Sequence, residues 1–247
     1  MELKEYAKPI SYITKSNIGI LVLHGFTGCI ESLRYYINKL KSKGYNIEAP
    51  ALRGHGTHWE ELGKVKYEDW VEDATAAYEI LKKRCDKIFI AGLSMGGTLA
   101  LYLAYKIKDI AGIILINHGI FINDKRFPFA CVGRFFVKSD KGVGNDIKDK
   151  TQNERAYETV PTEGVYQLFR FINKVKSIHK FIVCPVLIIK SIEDHVVKFK
   201  SASFTYDRIR SDDKEIIWLK NSYHVATMDY DKDIIIDRSL EFISRLT

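Results

Sequence analysis

No stretch of this sequence carries the roughly 18–20 consecutive apolar residues that a membrane-spanning helix needs. Its apolar runs are strand-sized, such as IGILVL at 18–23. Integral membrane association is therefore not expected. The opening MELKEYAKPISYITK is charged and lacks the apolar core of a signal peptide, so export is not expected either. Cysteine is scarce and scattered. Cys29, Cys85, Cys131 and Cys184 form no C-x-x-C pair and have no histidine at metal spacing, which argues against a disulfide framework and against a metal site. Reduced thiols in a cytoplasm are the expectation. Dense basic clusters are missing too. The net charge of +7 comes from 38 Lys/Arg against 31 Asp/Glu. The segment from Gly119 to Lys180 holds 12 of the former and 7 of the latter, interspersed. A nucleic-acid partner would call for basic patches interleaved with aromatics, so none is expected, and the excess reads as a solvated surface.

What is present is an ordinary globular composition, 46% hydrophobic and 28% charged, in a length that suits one large α/β domain. Short apolar runs alternate with amphipathic stretches, the pattern of a mostly parallel sheet with helices on both faces. The runs are IGILVL (18–23), YNIEA (45–49), KIFIA (87–91), GIILI (112–116), PVLIIK (185–190) and EIIWL (215–219), with an antiparallel edge strand near 11–14. Helices are expected over 31–44, closed by Gly44, over 67–84, and over 231–246 with Asp231 as N-cap. No buried strand is visible from Gly119 to about Ile182. An insertion that long inside a compact domain is usually functional, and the spacing of 166–181 is helical. We read residues 1–247 as a single domain with a small helical cap inserted over about 119–182, after the sixth strand.

The chemistry starts at GLSMG, residues 92–96. A G-x-S-x-G pattern turns up by chance in about one chain in ten of this length, so the context must carry the reading. Here a strand precedes it and a helix follows, as a nucleophile elbow requires. So sharp a turn pushes Ser94 out above the sheet, and Gly92 and Gly96 allow the backbones to approach. The Met95 amide then faces the same spot from the helix N-terminus, where a developing oxyanion is favoured. A serine needs a base. Of seven histidines, His224 in KNSYHVATMD lies in a loop after the last strand, on the same sheet edge as Ser94. Asp194 in IIKSIEDHVV follows its strand to that edge and is the acid that would orient the imidazole, with Glu193 the neighbouring rival. The loop after the first long strand, LVLHGFTG, offers the Phe26 N–H as second oxyanion donor, while His24 braces it. The Phe26 ring either overhangs the acyl site or belongs to the core.

These pieces resemble the α/β-hydrolase superfamily, and most closely bacterial carboxylesterases near the monoacylglycerol lipases. LVLHGFTG (21–28), APALRGHG (49–56), AGLSMGG (91–97), SIEDHVV (191–197) and NSYHVATMDYDKD (221–233) carry the likeness, and they span nearly the whole chain. The order Ser94, Asp194, His224 is that of the superfamily. The resemblance implies an α/β-hydrolase fold and hydrolysis of short- to medium-chain carboxylic esters through an acyl-enzyme on Ser94, with no metal or organic cofactor. It implies a small ester or acylglycerol as substrate. It also departs from the pattern: Tyr223 stands where glycine often precedes the histidine and bears on substrate size, and Lys190-Ser191 opens the acid loop where relatives carry glycine, alanine or glutamine.

Other candidates have plainer readings. His55 and His58 lack the further ligands a metal needs and read as a structural loop near the entrance. His118 ends a strand on the active edge and either touches the acyl pocket or bonds a cap residue. His195 reads as exposed loop. The aromatics of RFPFACVGRFF (126–136) line an acyl tunnel, pack the cap, or both. Monoacylglycerol hydrolysis is the main alternative, and a binding protein on a hydrolase fold the remote one. Peptidase, thioesterase and acyltransferase chemistry use the same groups. A monomer or weak dimer is the expectation.

Overall fold

The computed structural model describes residues 2–247. Among these residues nine strands occur in chain order: β1 (Ile10–Tyr12), β2 (Ile18–Leu23), β3 (Asn46–Ala49), β4 (Lys87–Leu93), β5 (Gly112–Ile116), β6 (Ser139–Lys141), β7 (Thr159–Pro161), β8 (Val186–Ser191) and β9 (Lys214–Leu219). The helices are α1 (Arg34–Ser42), α2 (Trp59–Leu62), α3 (Tyr67–Lys82), α4 (Met95–Lys106), α5 (Ala130–Gly133), α6 (Thr162–Ile178), α7 (Lys200–Arg208) and α8 (Lys232–Arg245). Seven strands form one sheet in the order β1-β3-β2-β4-β5-β8-β9, parallel except for β1, which pairs antiparallel with β3.

The apolar runs are continuous because both faces of the sheet are covered, and alternate residues feed two cores. Leu21, Leu23, Ile88, Ile90, Ile113, Leu115, Val186 and Ile188 face the core built with α3, α4, α6 and α7. Ile20, Val22, Phe89, Ala91, Ile114, Ile116, Leu187 and Ile189 face the core built with α1 and α8. Strand order reverses between β2 and β4, whose registers match Leu23 with Gly92. Such a switch point leaves a crevice beyond the C-terminal ends of the strands, where ligands of open α/β sheets bind. The loop after β2 and the serine after β4 both open there. No helix is long and apolar enough to cross a membrane, among the described residues.

The insertion differs from the expected helical cap in three ways. It follows β5, the fifth strand of the chain and not the sixth. It is not wholly helical: β6 and β7 form a separate antiparallel pair, preceded by a 3-10 turn at Phe127–Phe129 and the single turn of α5. Finally, its second half belongs to the main core. Leu168, Phe171, Ile172 and Val175 of α6 are buried with α3 and α4, because their i, i+3, i+4, i+7 spacing gives the helix an apolar stripe that the sheet layer absorbs. Only the part before α6 rises above the sheet edge.

Candidate active site

Ser94 sits between β4 and α4 with φ 54° and ψ −115°, a conformation that costs a non-glycine residue about 1–3 kcal/mol. The surrounding glycines make it attainable. A Cβ on Gly92 would overlap the Gly96 carbonyl, one on Gly96 would overlap the Leu23 carbonyl, and one on Gly97 would lie 2.6 Å from the His118 Cβ. Helix and strands therefore approach to backbone distance at the corner.

The Ser94 hydroxyl lies 2.9 Å from His224 Nε2, and His224 Nδ1 lies 3.0 Å from Asp194 Oδ2. Because that carboxylate accepts at Nδ1, the proton of the neutral ring resides there and Nε2 is left free to accept from the serine. The Asp194 side chain is fully buried and that of His224 nearly so. Burial would raise the Asp194 carboxyl, but His224 and Lys190 outweigh it and hold the group well below the usual carboxylate range. Its Oδ1 accepts from the Val196 and Val197 amides at 2.9 and 2.8 Å. Glu193 points away and pairs with Lys148 at 3.2 Å. Gly25 lies directly over the corner, where a Cβ would come within 3.4 Å of Ser94 Cβ. Neither the Phe26 nor the Met95 amide has an acceptor among the described residues, so both remain available to a ligand. The Phe26 ring turns edge-on to His55 and Trp70, anchoring the loop while also reaching the cavity.

That cavity, of about 290 Å³, opens above Ser94 and is mostly apolar, with Phe127, Phe129, Val160, Leu168 and Val225 in its walls. The aromatic run thus contributes Phe127 and Phe129 to the wall, Phe129 with most of its surface exposed, while Phe135 and Phe136 are exposed and absent from it. The Glu154 carboxyl interrupts the apolar lining. It presses against Gly28, whose Cβ would lie 2.6 Å from Oε1, and burial pushes it up to about 7, with His224 opposing.

The other histidines serve structure. His24 accepts from the Leu52 amide at Nε2 and donates from Nδ1 to the Gly25 carbonyl, bracing the loop; burial pushes it down to about 4. His55 is buried at Leu52 and Arg53, whereas His58 is half-exposed beside Glu60. Among the described residues no cluster has the makings of a metal site. His118 bonds Thr205 of α7, not the cap, and is absent from the cavity wall. His195 pairs with Asp146, and Tyr223 packs edge-on against His195 outside the cavity. Tyr223 therefore does not narrow the pocket.

Several residues that sequence patterns did not single out hold the site together. Asn117, at the end of β5 with φ 45°, donates to the Tyr223 and His224 carbonyls at 3.2 and 2.7 Å and accepts from the Ser191 amide at 2.8 Å. It brings the last loop back across β8 toward the serine. Asparagine tolerates positive φ, and an asparagine ending a buried strand was the available signal. Asp146 accepts from the His195 and His224 amides, and buried Asp229 accepts from Lys148, Asp149, Tyr223 and Tyr230 amides. The insertion and the histidine loop are thereby tied.

Comparison with known proteins was made on this geometry. A family model described as serine aminopeptidase, S33, matches residues 15–231. The chain is 43% identical over 234 residues to a thermostable monoacylglycerol lipase of Bacillus sp. (strain H-257), covering 95% of this chain and 93% of that one. It is 29% identical over 228 residues to a carboxylesterase of Bacillus subtilis (strain 168), covering 92% of each. Among solved structures, one from the metagenome-derived lipolytic enzymes LipS and LipT superposes with a TM-score of 0.96 at 37% identity, over 99% of this chain and 100% of that one. The match over most of its length, with the sheet order and elbow described above, means that the chain belongs to the serine aminopeptidase S33 family of α/β-hydrolases.

Proposed function

We propose that this protein is a serine carboxylic ester hydrolase working through an acyl-enzyme on Ser94. The observation that carries the reading is the unbroken line Ser94 Oγ, His224 Nε2, His224 Nδ1, Asp194 Oδ2, with spacings of 2.9 and 3.0 Å at its two ends. As Ser94 Oγ bonds to the ester carbonyl carbon, its proton passes to His224 Nε2. The carbonyl oxygen takes the negative charge and is met by the Phe26 and Met95 N–H groups, the latter at the positive end of α4. Collapse breaks the bond to the alcohol oxygen, which leaves with the proton from His224. Water then attacks the acyl carbon, again giving its proton to His224, and the second collapse releases the acid and restores Ser94. Asp194 keeps the imidazole in its working tautomer throughout and stabilises its charged form.

The mostly apolar cavity supports short- to medium-chain acyl groups, and the part of the insertion before α6 acts as the cap over them. Monoacylglycerol is a second reading, favoured by Glu154, a hydrogen-bonding carboxyl in that apolar wall suited to the hydroxyls of a glycerol leaving group. The relative that is a monoacylglycerol lipase supports it as well. Four free cysteines support action in a reducing cytoplasm, as a monomer or weak dimer.

Labelling the purified protein with a fluorophosphonate and mapping the adduct tests the mechanism; modification anywhere but Ser94, or none, ends it. A panel of ester, thioester and amide substrates fixes the leaving group. A chain-length series of monoacylglycerols against p-nitrophenyl esters separates the two readings, and loss of turnover beyond butyrate removes the lipid one.

A further inference from the structure

Lys190 is a lysine with no access to solvent. It lies one residue from the end of β8 and shares strand parity with Val186 and Ile188, so it points into the layer under α7. All three of its ammonium hydrogens have acceptors: Asp194 Oδ2, the Val197 carbonyl at 3.0 Å and Asn117 Oδ1 at 3.3 Å. Asp194 is equally saturated, since Oδ1 takes two backbone amides and Oδ2 takes both Lys190 and His224. The oxygen that orients the base is therefore shared with a buried cation.

Such a pair is an unusual choice on stability grounds. Taking an ammonium and a carboxylate out of water costs about as much as their attraction returns, and apolar residues of similar size often do as well. Burial draws the Lys190 ammonium below its usual range while Asp194 opposes that. The other ionisable groups around it are His224 on the last loop, Asp146 on the insertion and His118 after β5, while Glu154 of the insertion faces His224 from the cavity side. Burial pushes His118 down to about 3, which leaves it neutral. Among the described residues Lys190 is thus the one cation behind the acid.

Given the triad proposed above, on which this inference rests, we propose that Lys190 is a positioning residue for Asp194. It is an internal counter-cation that holds the carboxylate in place and weakens its pull on the imidazole proton, so that His224 stays free to accept from Ser94 at lower pH. The device trades some stabilisation of the imidazolium in the transition state for activity in mildly acidic conditions.

Lys190→Met removes the charge and the hydrogen bonds, whereas Lys190→Gln removes the charge and keeps a donor. The second-order rate of fluorophosphonate attachment to Ser94 is measured against pH for both variants and the parent, with kcat/KM on a neutral ester alongside. The acid limb moves to higher pH by about 1–2 units in both variants, the scale of a neighbouring unit charge. An unmoved limb overturns the inference, and so does a shift confined to Lys190→Met, which would assign the effect to hydrogen bonding. Failure of the parent to label Ser94 is a different result and strikes the triad itself. Should neither variant fold, the parent decides by the Nζ and Cε chemical shifts of Lys190 at neutral pH. An ammonium is required, and a neutral amine overturns the proposal.

Discussion

Replacing Asp194 with asparagine separates what the buried pair does for folding from what it does for chemistry. Asparagine preserves the shape but removes the charge and turns one of the two acceptor oxygens into a donating amide, so His224 loses the partner that selects its tautomer, and Lys190 is left as an uncompensated cation with no access to solvent. Loss of the orienting charge in a triad costs on the order of 10⁴ in kcat, or about 5.5 kcal/mol of transition-state stabilisation. Breaking a buried ion pair by removing one partner costs about 3–5 kcal/mol, a large part of the roughly 5–15 kcal/mol that holds a typical domain folded. For a chain of this size it corresponds to a fall in Tm of about 6–20 °C. The double variant Asp194→Asn with Lys190→Met removes both charges, and it regains most of the lost stability but none of the turnover. Thermal and urea melts followed by circular dichroism, with ester turnover on the same samples, read both quantities. The pH dependence has a definite sign. A carboxylate held below its unfolded value stabilises the fold above about pH 3.9 and loses that contribution as pH falls through the folded value. The gap between parent and Asp194→Asn therefore narrows in acid. A single variant that melts within about 2 °C of the parent, or a double variant less stable than the single one, refutes the reasoning.

Three further outcomes follow from the same geometry. Ser94→Gly abolishes ester turnover yet raises stability in urea by about 1 kcal/mol or more, since glycine adopts φ 54° without strain; a less stable variant contradicts the strain at the elbow. Gly96→Ala, whose Cβ would press on the backbone carbonyls of Leu23 and His24, is destabilised by about 3 kcal/mol or more, and a urea midpoint equal to the parent's argues against so close an approach. Glu154, raised to about 7 in the fold, binds its proton more tightly there than when unfolded, so its contribution is fully present below about pH 4.3 and lost as pH rises through about 7. Glu154→Gln consequently gains stability relative to the parent between those values, which parallel melts at pH 4 and pH 8 test.

Much of the architecture was legible one residue at a time, and the exceptions have identifiable causes. The six apolar runs became six of the seven strands of the large sheet, with β4 extending two residues further, up to the serine, and the edge strand near 11–14 became β1. Gly44 closes the first helix with φ 82°. Helix α6 is recognisable from its spacing, but the stripe that reveals a helix does not say which surface receives it, and the core takes a segment whose place in the chain suggests a cap. The choice between Glu193 and Asp194 was similar. Adjacent carboxylates differ little in a sequence, whereas in the fold one is buried against two amides and the other reaches Lys148.

By itself, the sequence determined the elements, their parallel arrangement, and the sheet edge on which Ser94, Asp194 and His224 emerge, because periodicity and strand–turn–helix punctuation are local properties. Tertiary structure alone decided that a buried lysine backs Asp194, that Asn117 draws the last loop across β8, that Asp146 and Asp229 tie the insertion to it, and that Glu154 reaches the cavity. Each of these contacts joins residues on different loops or strands. Their meaning comes from which groups are excluded from water together, and that is known only once the chain has closed around them.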